Sequence, residues 1–211
     1  DENGFSDIAQ VSKFNFNPKL FYNPNKKMEL YFGAGMTKEN RKGGSMSKIR
    51  NENPDNLYFL DEQESSRTTT QFSANYKIDN TKTISLKNSI SSFDRYINID
   101  EDILGTSSTT FGGNQLNSFT ELNLNINKEK QNINIGLNAL ADKFTEDNLI
   151  NQPLRNQEFN TLGLYVNHLW DVTDKFALES GLRTDKVEAS TLNTENGGQS
   201  FVLPKISALY K

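Results

Sequence analysis

Along almost the whole chain apolar residues recur at every second position, while a helical spacing finds little to match. Met28, Leu30, Phe32, Ala34 and Met36 alternate with Glu29, Tyr31, Gly33, Gly35 and Thr37. Phe72, Ala74, Tyr76 and Ile78 repeat the pattern, as do Ile84, Leu86 and Ile90, then Leu122, Leu124 and Ile126. Ile133, Ile135, Leu137 and Ala139 follow, then Leu162, Leu164, Val166, His168 and Trp170, then Phe176, Leu178 and Leu182. Phe14, Phe16, Leu20 and Tyr22 open the chain, and Val202, Ile206 and Tyr210 close it. Neighbouring strand residues point to opposite faces, so each run predicts a strand with one apolar and one polar face. Nine strands result, over 12–22, 28–40, 66–78, 82–93, 117–127, 131–144, 158–170, 175–188 and 200–210. Several exceed the five or six residues common in soluble proteins.

The connections alternate in length. NPNKK (23–27), DNT (79–81), KEK (128–130) and DVTD (171–174) are tight and rich in turn-forming residues. Between them the pattern predicts long polar loops over 41–65, 94–116, 145–157 and 189–199. Successive antiparallel strands reverse direction, which sends all tight turns to one end of the sheet and all long loops to the other. Transmembrane β-barrels sort their connections in this way. The expected fold is therefore all-β: an antiparallel up-and-down meander forming part of a transmembrane β-barrel, with residues 1–211 as one partial barrel domain.

On that reading Met28, Leu30, Phe32, Phe72, Ile84, Leu86, Leu122, Leu124, Ile133, Ile135, Leu137, Leu162, Leu164, Val166 and Leu178 face lipid. Tyr22, Tyr76, Trp170, Phe176 and Tyr210 lie near tight turns or the chain's end and form an interfacial girdle, where amphipathic rings are favoured. The middle of the apolar face carries no Lys, Arg, Asp or Glu, whereas Lys77, Lys87, Glu121, Glu179, Arg183 and Lys205 sit on the other face. A wet or plugged lumen tolerates those charges; the bilayer midplane would not.

Composition fits this two-sided arrangement. Only 34% of residues are hydrophobic and the mean hydropathy is −0.70, as expected when one face meets lipid and the other water. The 28 asparagines fall at regular places within the alternation, so they do not mark a disordered tract. A net charge of −4 and a pI near 5.2 argue against nucleic acid as a partner. Without cysteine there is no disulfide, thiolate metal site or thiol nucleophile. No apolar stretch approaches the ~20 residues of a membrane-spanning helix. The first residues, DENGFSDIAQV, lack the basic start and apolar core of a signal peptide.

Candidate chemistry is sparse. His168, the only histidine, sits between Val166 and Trp170 on the apolar face, where it reads as an interfacial residue rather than a catalytic base. Acidic clusters at DEQE (61–64) and NIDED (98–102) lack EF-hand spacing and read as solvated charge. No phosphate-loop spacing surrounds the GG pairs at 43–44, 112–113 and 197–198. The basic run KENRKGG (38–44) is either a solvated strand end or a contact for lipopolysaccharide phosphates or an anionic ligand. Tyr58, Phe59 and Phe111 have no evident strand face to serve; they either cap a ligand or anchor their loops. The expectation is no enzyme, no cofactor and no resident metal.

Three stretches resemble the barrel of TonB-dependent outer-membrane receptors, particularly those of Bacteroidetes-like bacteria. They are FNFNPKLFYNPNKKMELYFGAGMTKENRKGG (14–44), DKFALESGLRTDKVEA (174–189) and FVLPKISALYK (201–211). Within them Gly181, Leu182, Arg183 and Asp185, then Pro204, Lys205, Ser207 and Tyr210, follow the family's order. The resemblance implies a 22-stranded barrel in the bacterial outer membrane around its own plug domain. It also implies an inner-membrane energy-coupling protein and an imported small ligand such as a metal chelate, cobalamin or a glycan. This chain then reads as a middle portion of such a receptor, in contact with outer-membrane lipid, its long loops capturing the ligand. A passive or adhesive outer-membrane barrel and a soluble β-sheet ligand-binding protein are the alternatives.

Overall fold

A computed structural model describes residues 4–50, 52, 58–101, 107–147, 149, 153–191 and 194–210. The chain forms one antiparallel sheet: β1 (Gln10–Phe16), β2 (Lys19–Asn25), β3 (Met28–Gly44), β4 (Phe59–Lys77), β5 (Lys82–Glu101), β6 (Ser107–Lys128), β7 (Gln131–Glu146), β8 (Gln157–Thr173), β9 (Phe176–Thr191) and β10 (Thr194–Tyr210). From β3 to β10 each strand pairs with the next in sequence, and the sheet is open, with β1 and β10 at its ends. Among the described residues the only helix is α1 (Met46–Ile49).

Ten strands stand where nine were expected, because the opening run is broken. β1 and β2 both pair with β3, one along its far half and the other along its near half. Asn17 and Pro18 separate them; proline has no N–H to donate, and the Pro18 carbonyl accepts from Ala34 N at 3.1 Å.

The long connections are shorter than expected. The expected loop 94–116 is mostly strand, with β5 ending at Glu101 and β6 starting at Ser107, and within the expected loop 189–199 β9 runs to Thr191 and β10 starts at Thr194. Loops 41–65 and 145–157 contract to 45–58 and 147–156. In these extensions apolar residues no longer keep to the belt's face: Ile97 and Ile99 of β5 and Phe111 of β6 fall in the polar-face rows, so the belt's alternation stops before the pairing does. The tight turns stay tight, at 26–27, 78–81, 129–130 and 174–175.

The register places every predicted apolar run on one face. One row of Cα partners reads Leu30, Ala74, Leu86, Leu122, Leu137, Leu164, Thr184, Val202 across eight strands. The next reads Met28, Tyr76, Ile84, Leu124, Ile135, Val166, Leu182, Pro204. Among the described residues nothing covers these rows. Leu122, Leu137 and Leu164 are 43%, 44% and 53% exposed, and Ala177 is the only buried hydrophobic residue among those described. A half-buried soluble sheet packs such a face against a second layer; this sheet has none.

The apolar belt crosses the strands obliquely. On its face the first ionisable side chain beyond the belt is Lys38 in β3 and Lys186 in β9. Lys186 shares its row with Phe32, six residues before Lys38, after six strand-to-strand steps. The turn end slides equally: Met28, which starts β3, shares its row with Leu182, six residues beyond Phe176, which starts β9. The slide is uneven: Ile84 and Asp94 of β5 share the rows of Met28 and Lys38, and Ile133 and Lys143 of β7 lie two residues nearer the turns. Averaged over the six steps, at about 3.4 Å per residue and about 4.8 Å per step, the belt is inclined by roughly 35° to the rows. Strands of membrane barrels tilt by about 35–45°.

Candidate functional site

The other face is polar and cross-linked. Near the turn end, the Tyr165 hydroxyl accepts from Asn123 Nδ2 at 2.8 Å and donates to Glu121 Oε2 at 3.2 Å. Glu121 also pairs with Lys87 at 3.7 Å, and Asn123 donates to Asn134. Arg183 binds Asp185 at 2.8 Å and Asn138 at 3.2 Å, and Glu179 gathers Lys205, Asn167 and Ser207 at 2.6, 2.8 and 3.1 Å. Such a mesh satisfies side chains that line water or a polar filling.

Toward the long-connection end the same face changes character. Phe111 of β6 and Phe144 of β7 stack with centroids 6.4 Å apart, and the Arg155 guanidinium lies 5.3 Å from the Phe111 ring. Arg155 is fixed by Glu146, with Nε donating at 3.0 Å and a further guanidinium contact to Oε1. Phe111, Glu146 and Arg155 border a hollow of about 690 Å³ that Thr109, Pro153 and Leu154 also line. The Arg155 bonds hold the Glu146 carboxyl down at about 2. Two strands away, Arg67 lies 4.6 Å from the Phe93 ring centroid, and Arg95 donates to Gln63 Oε1 at 2.7 Å. Glu39 takes Lys13 at 2.9 Å and Arg41 at 2.6 Å, which lower its pKa, the Lys13 bond most.

The three aromatics expected in loops, Tyr58, Phe59 and Phe111, stand apart from one another. Phe59 and Phe111 are strand residues, at the start of β4 and within β6, and Phe111 is on the polar face. Tyr58 precedes β4 and stands in a separate cluster, its ring 3.7 Å from Lys48 Nζ and its hydroxyl 3.3 Å from Asp100. The expectation that they lacked a strand face fails for Phe59 and Phe111, because β4 and β6 run further than the apolar pattern shows. Alternation also splits the basic run: Lys38 and Lys42 join the apolar face's rows, whereas Arg41 joins the polar face. Of NIDED, Asp102 lies outside the described residues; the rest belongs to β5, and DEQE belongs to β4.

The residues expected to face lipid occupy the apolar face in register. Tyr22, Tyr76, Trp170, Phe176 and Tyr210 lie along its turn-side margin, each at least 36% exposed. His168 pairs with Ile133 and Ser180 on that face, its Nε2 buried and without a hydrogen-bond partner among the described residues. Phe93, Phe144, Arg67, Arg95 and Arg155 were not singled out from sequence. Counting the alternation of β4 to β7 onward past the last apolar residue would have placed the first four on the polar face.

The TonB dependent receptor-like, beta-barrel family matches residues 3–211. Among solved structures, the chain is similar to the copper transporter OprC, with TM-score 0.70 and 10% identity over 95% of this chain and 34% of that one. It is similar to the ferric-catecholate import receptor Fiu from E. coli K12 in its open form, with TM-score 0.67 and 14% identity over 97% of this chain and 45% of that one. The ferric yersiniabactin uptake receptor FyuA from Yersinia pestis gives 0.63 and 14% over 95% of this chain and 34% of that one. The chain thus spans between a third and a half of these structures, and at such identities the likeness is one of fold. No curated protein matches its sequence.

Proposed function

Because the chain belongs to the TonB-dependent receptor-like β-barrel family, whose members are outer-membrane proteins, we propose that it forms part of the wall of an outer-membrane receptor importing a scarce nutrient. A metal chelate, cobalamin or a glycan is the class of cargo. The apolar face meets lipid, and the polar face lines a lumen that holds the receptor's own plug domain. Ligand is captured at the long-connection end and released inward with energy relayed by an inner-membrane protein. No step is chemical catalysis.

The oblique belt carries this reading. Met28 to Lys38, Ile84 to Asp94, Ile133 to Lys143 and Phe176 to Lys186 each span ten residues from the turn side to the first charge beyond the belt. Ten residues inclined by roughly 35° rise about 28 Å, close to the ~25 Å apolar band of a membrane barrel.

This chain contributes no native cysteine, and any elsewhere in the receptor is first replaced by serine. In the complete receptor in outer membranes, a water-soluble maleimide is expected to label Lys87→Cys and to spare its neighbour Leu86→Cys. Equal labelling of the two would overturn the assignment of the faces. Uptake that persists in cells lacking the energy-coupling protein would overturn the import mechanism.

A further inference from the structure

One part of the upper polar face, on β1, β3, β4 and β5, gathers four cations in a chain whose net charge is −4. Lys13, Arg41, Arg67 and Arg95 come from β1, β3, β4 and β5, and the register brings them into adjoining rows. Arg67 lies in the row of Thr37 and Phe93, Arg95 in the next with Glu39 and Lys13, and Arg41 in the one after with Gln63. Glu39 is shared by Lys13 and Arg41. Asp61, one row beyond Gln63, accepts from Gln63 Nε2 at 2.9 Å. Among the described residues neither Arg67 nor Arg95 has a carboxylate within salt-bridge distance. Arg67 rests on the Phe93 ring, and Arg95 is held by an amide oxygen.

Four cations against two carboxylates leave an excess of two positive charges, centred on two guanidinium groups with donors to spare. A hollow of about 270 Å³ opens beside them, lined by Glu39, Arg41, Gln63, Ser65, Phe93 and Arg95, with Arg67 at its edge on the Phe93 ring. Guanidinium forks match carboxylate and phosphate oxygens two at a time, and Phe93 holds one of them flat rather than free to fold away. A neutral glycan would gain nothing from this excess charge.

We infer that this hollow on β3, β4 and β5 binds oxyanions, and that the ligand entering there carries carboxylate- or phosphate-type groups contacted by Arg67 and Arg95. This rests on the receptor reading for its direction of access, but the binding itself does not require transport. Field focusing in a low-dielectric vestibule concentrates an anion at the mouth before any closer contact forms.

The test uses the complete receptor in detergent with inorganic pyrophosphate as probe, followed by ³¹P line broadening. Saturable binding is expected in the parent, at least tenfold weaker in R67Q/R95Q and unchanged in K87Q, whose lysine lies on the same face nearer the turns. If the double variant fails to fold, R95Q alone is expected to weaken binding at least threefold. Parent affinity in these arginine variants, or no saturable binding by the parent, would overturn the inference. Pyrophosphate binding without energy-dependent uptake would sink the receptor reading and spare this one; uptake without binding would do the reverse.

Discussion

The ring of Tyr165 in β8 lies over Gly136 in β7, its cross-strand partner on the polar face. A Cβ built on Gly136 would fall among the Tyr165 ring atoms, so the phenol keeps its place only because the facing residue has no side chain. That placement lets the hydroxyl reach Asn123 and Glu121 on β6, tying three strands together.

Gly136→Ala is therefore expected to destabilise the folded barrel by about 1–3 kcal/mol, the usual cost of overpacking. The ring must swing away and give up both hydrogen bonds. The midpoint of heat-modifiable gel mobility of the complete receptor reads this out. Tyr165→Phe removes the hydroxyl but leaves the ring, so its loss should be smaller; an equal or larger loss would show that the hydroxyl network, not the close approach, holds the strands.

Leu122 and Asn123 are neighbours in β6 on opposite faces. With lipid against the Leu122 side, Leu122→Arg is expected to lower folding stability by roughly 2–4 kcal/mol near the bilayer midplane. Asn123→Arg, pointing to the polar face beside Glu121, should cost well under half as much. Denaturant titration of the receptor folded into phospholipid bilayers distinguishes the two. Equal losses would mean that both faces meet the same medium.

The Glu146–Arg155 contact gives the 147–156 connection a pH dependence with a definite sign. Arg155 depresses the Glu146 pKa from an ordinary 4.5 to about 2. A depressed carboxyl pKa means that the contribution is complete above about 4.5 and is lost as pH falls through about 2. Amide exchange at Glu146 and Arg155, corrected for intrinsic rates, should stay slow down to about pH 4.5 and accelerate below it. Arg155→Ala should be fast throughout; an unchanged profile in that variant would remove the contact from the account.

The parity of the strands was legible from sequence because one face excludes charge: Leu30, Leu86, Leu122, Leu137 and Leu164 align as their alternation demands. The upper strands were hidden for the opposite reason. Between Asp94 and Glu101 or Ser107 and Leu116 both faces accept polar groups, and Ile97, Ile99 and Phe111 fall on the face opposite the belt, so the belt's alternation does not continue into them. The candidate site falls in that silent zone, and Arg67, Phe93 and Arg95 become neighbours only through register, which no single strand encodes. The break at Pro18 was visible as a residue but not as a boundary, since β1 and β2 resume on the same side of β3.

The slide of the belt makes a prediction that strand pairing alone would get wrong. Phe32 and Lys186 share a row, and in a sheet standing upright in the membrane they would lie at one depth. With strands inclined by roughly 35°, six residues of offset place Lys186 at the depth of Lys38 and leave Phe32 about 17 Å deeper. Spin labels on single cysteines at the three positions, with oxygen and nickel-chelate accessibility as the depth scale, measure this directly. Labels at 38 and 186 should agree within about one residue's rise, ~3 Å, and the label at 32 should sit near the oxygen-rich centre. Matching depths for 32 and 186 would mean that the rows lie parallel to the membrane plane, and the ten-residue charge-free intervals would then no longer define a common apolar band.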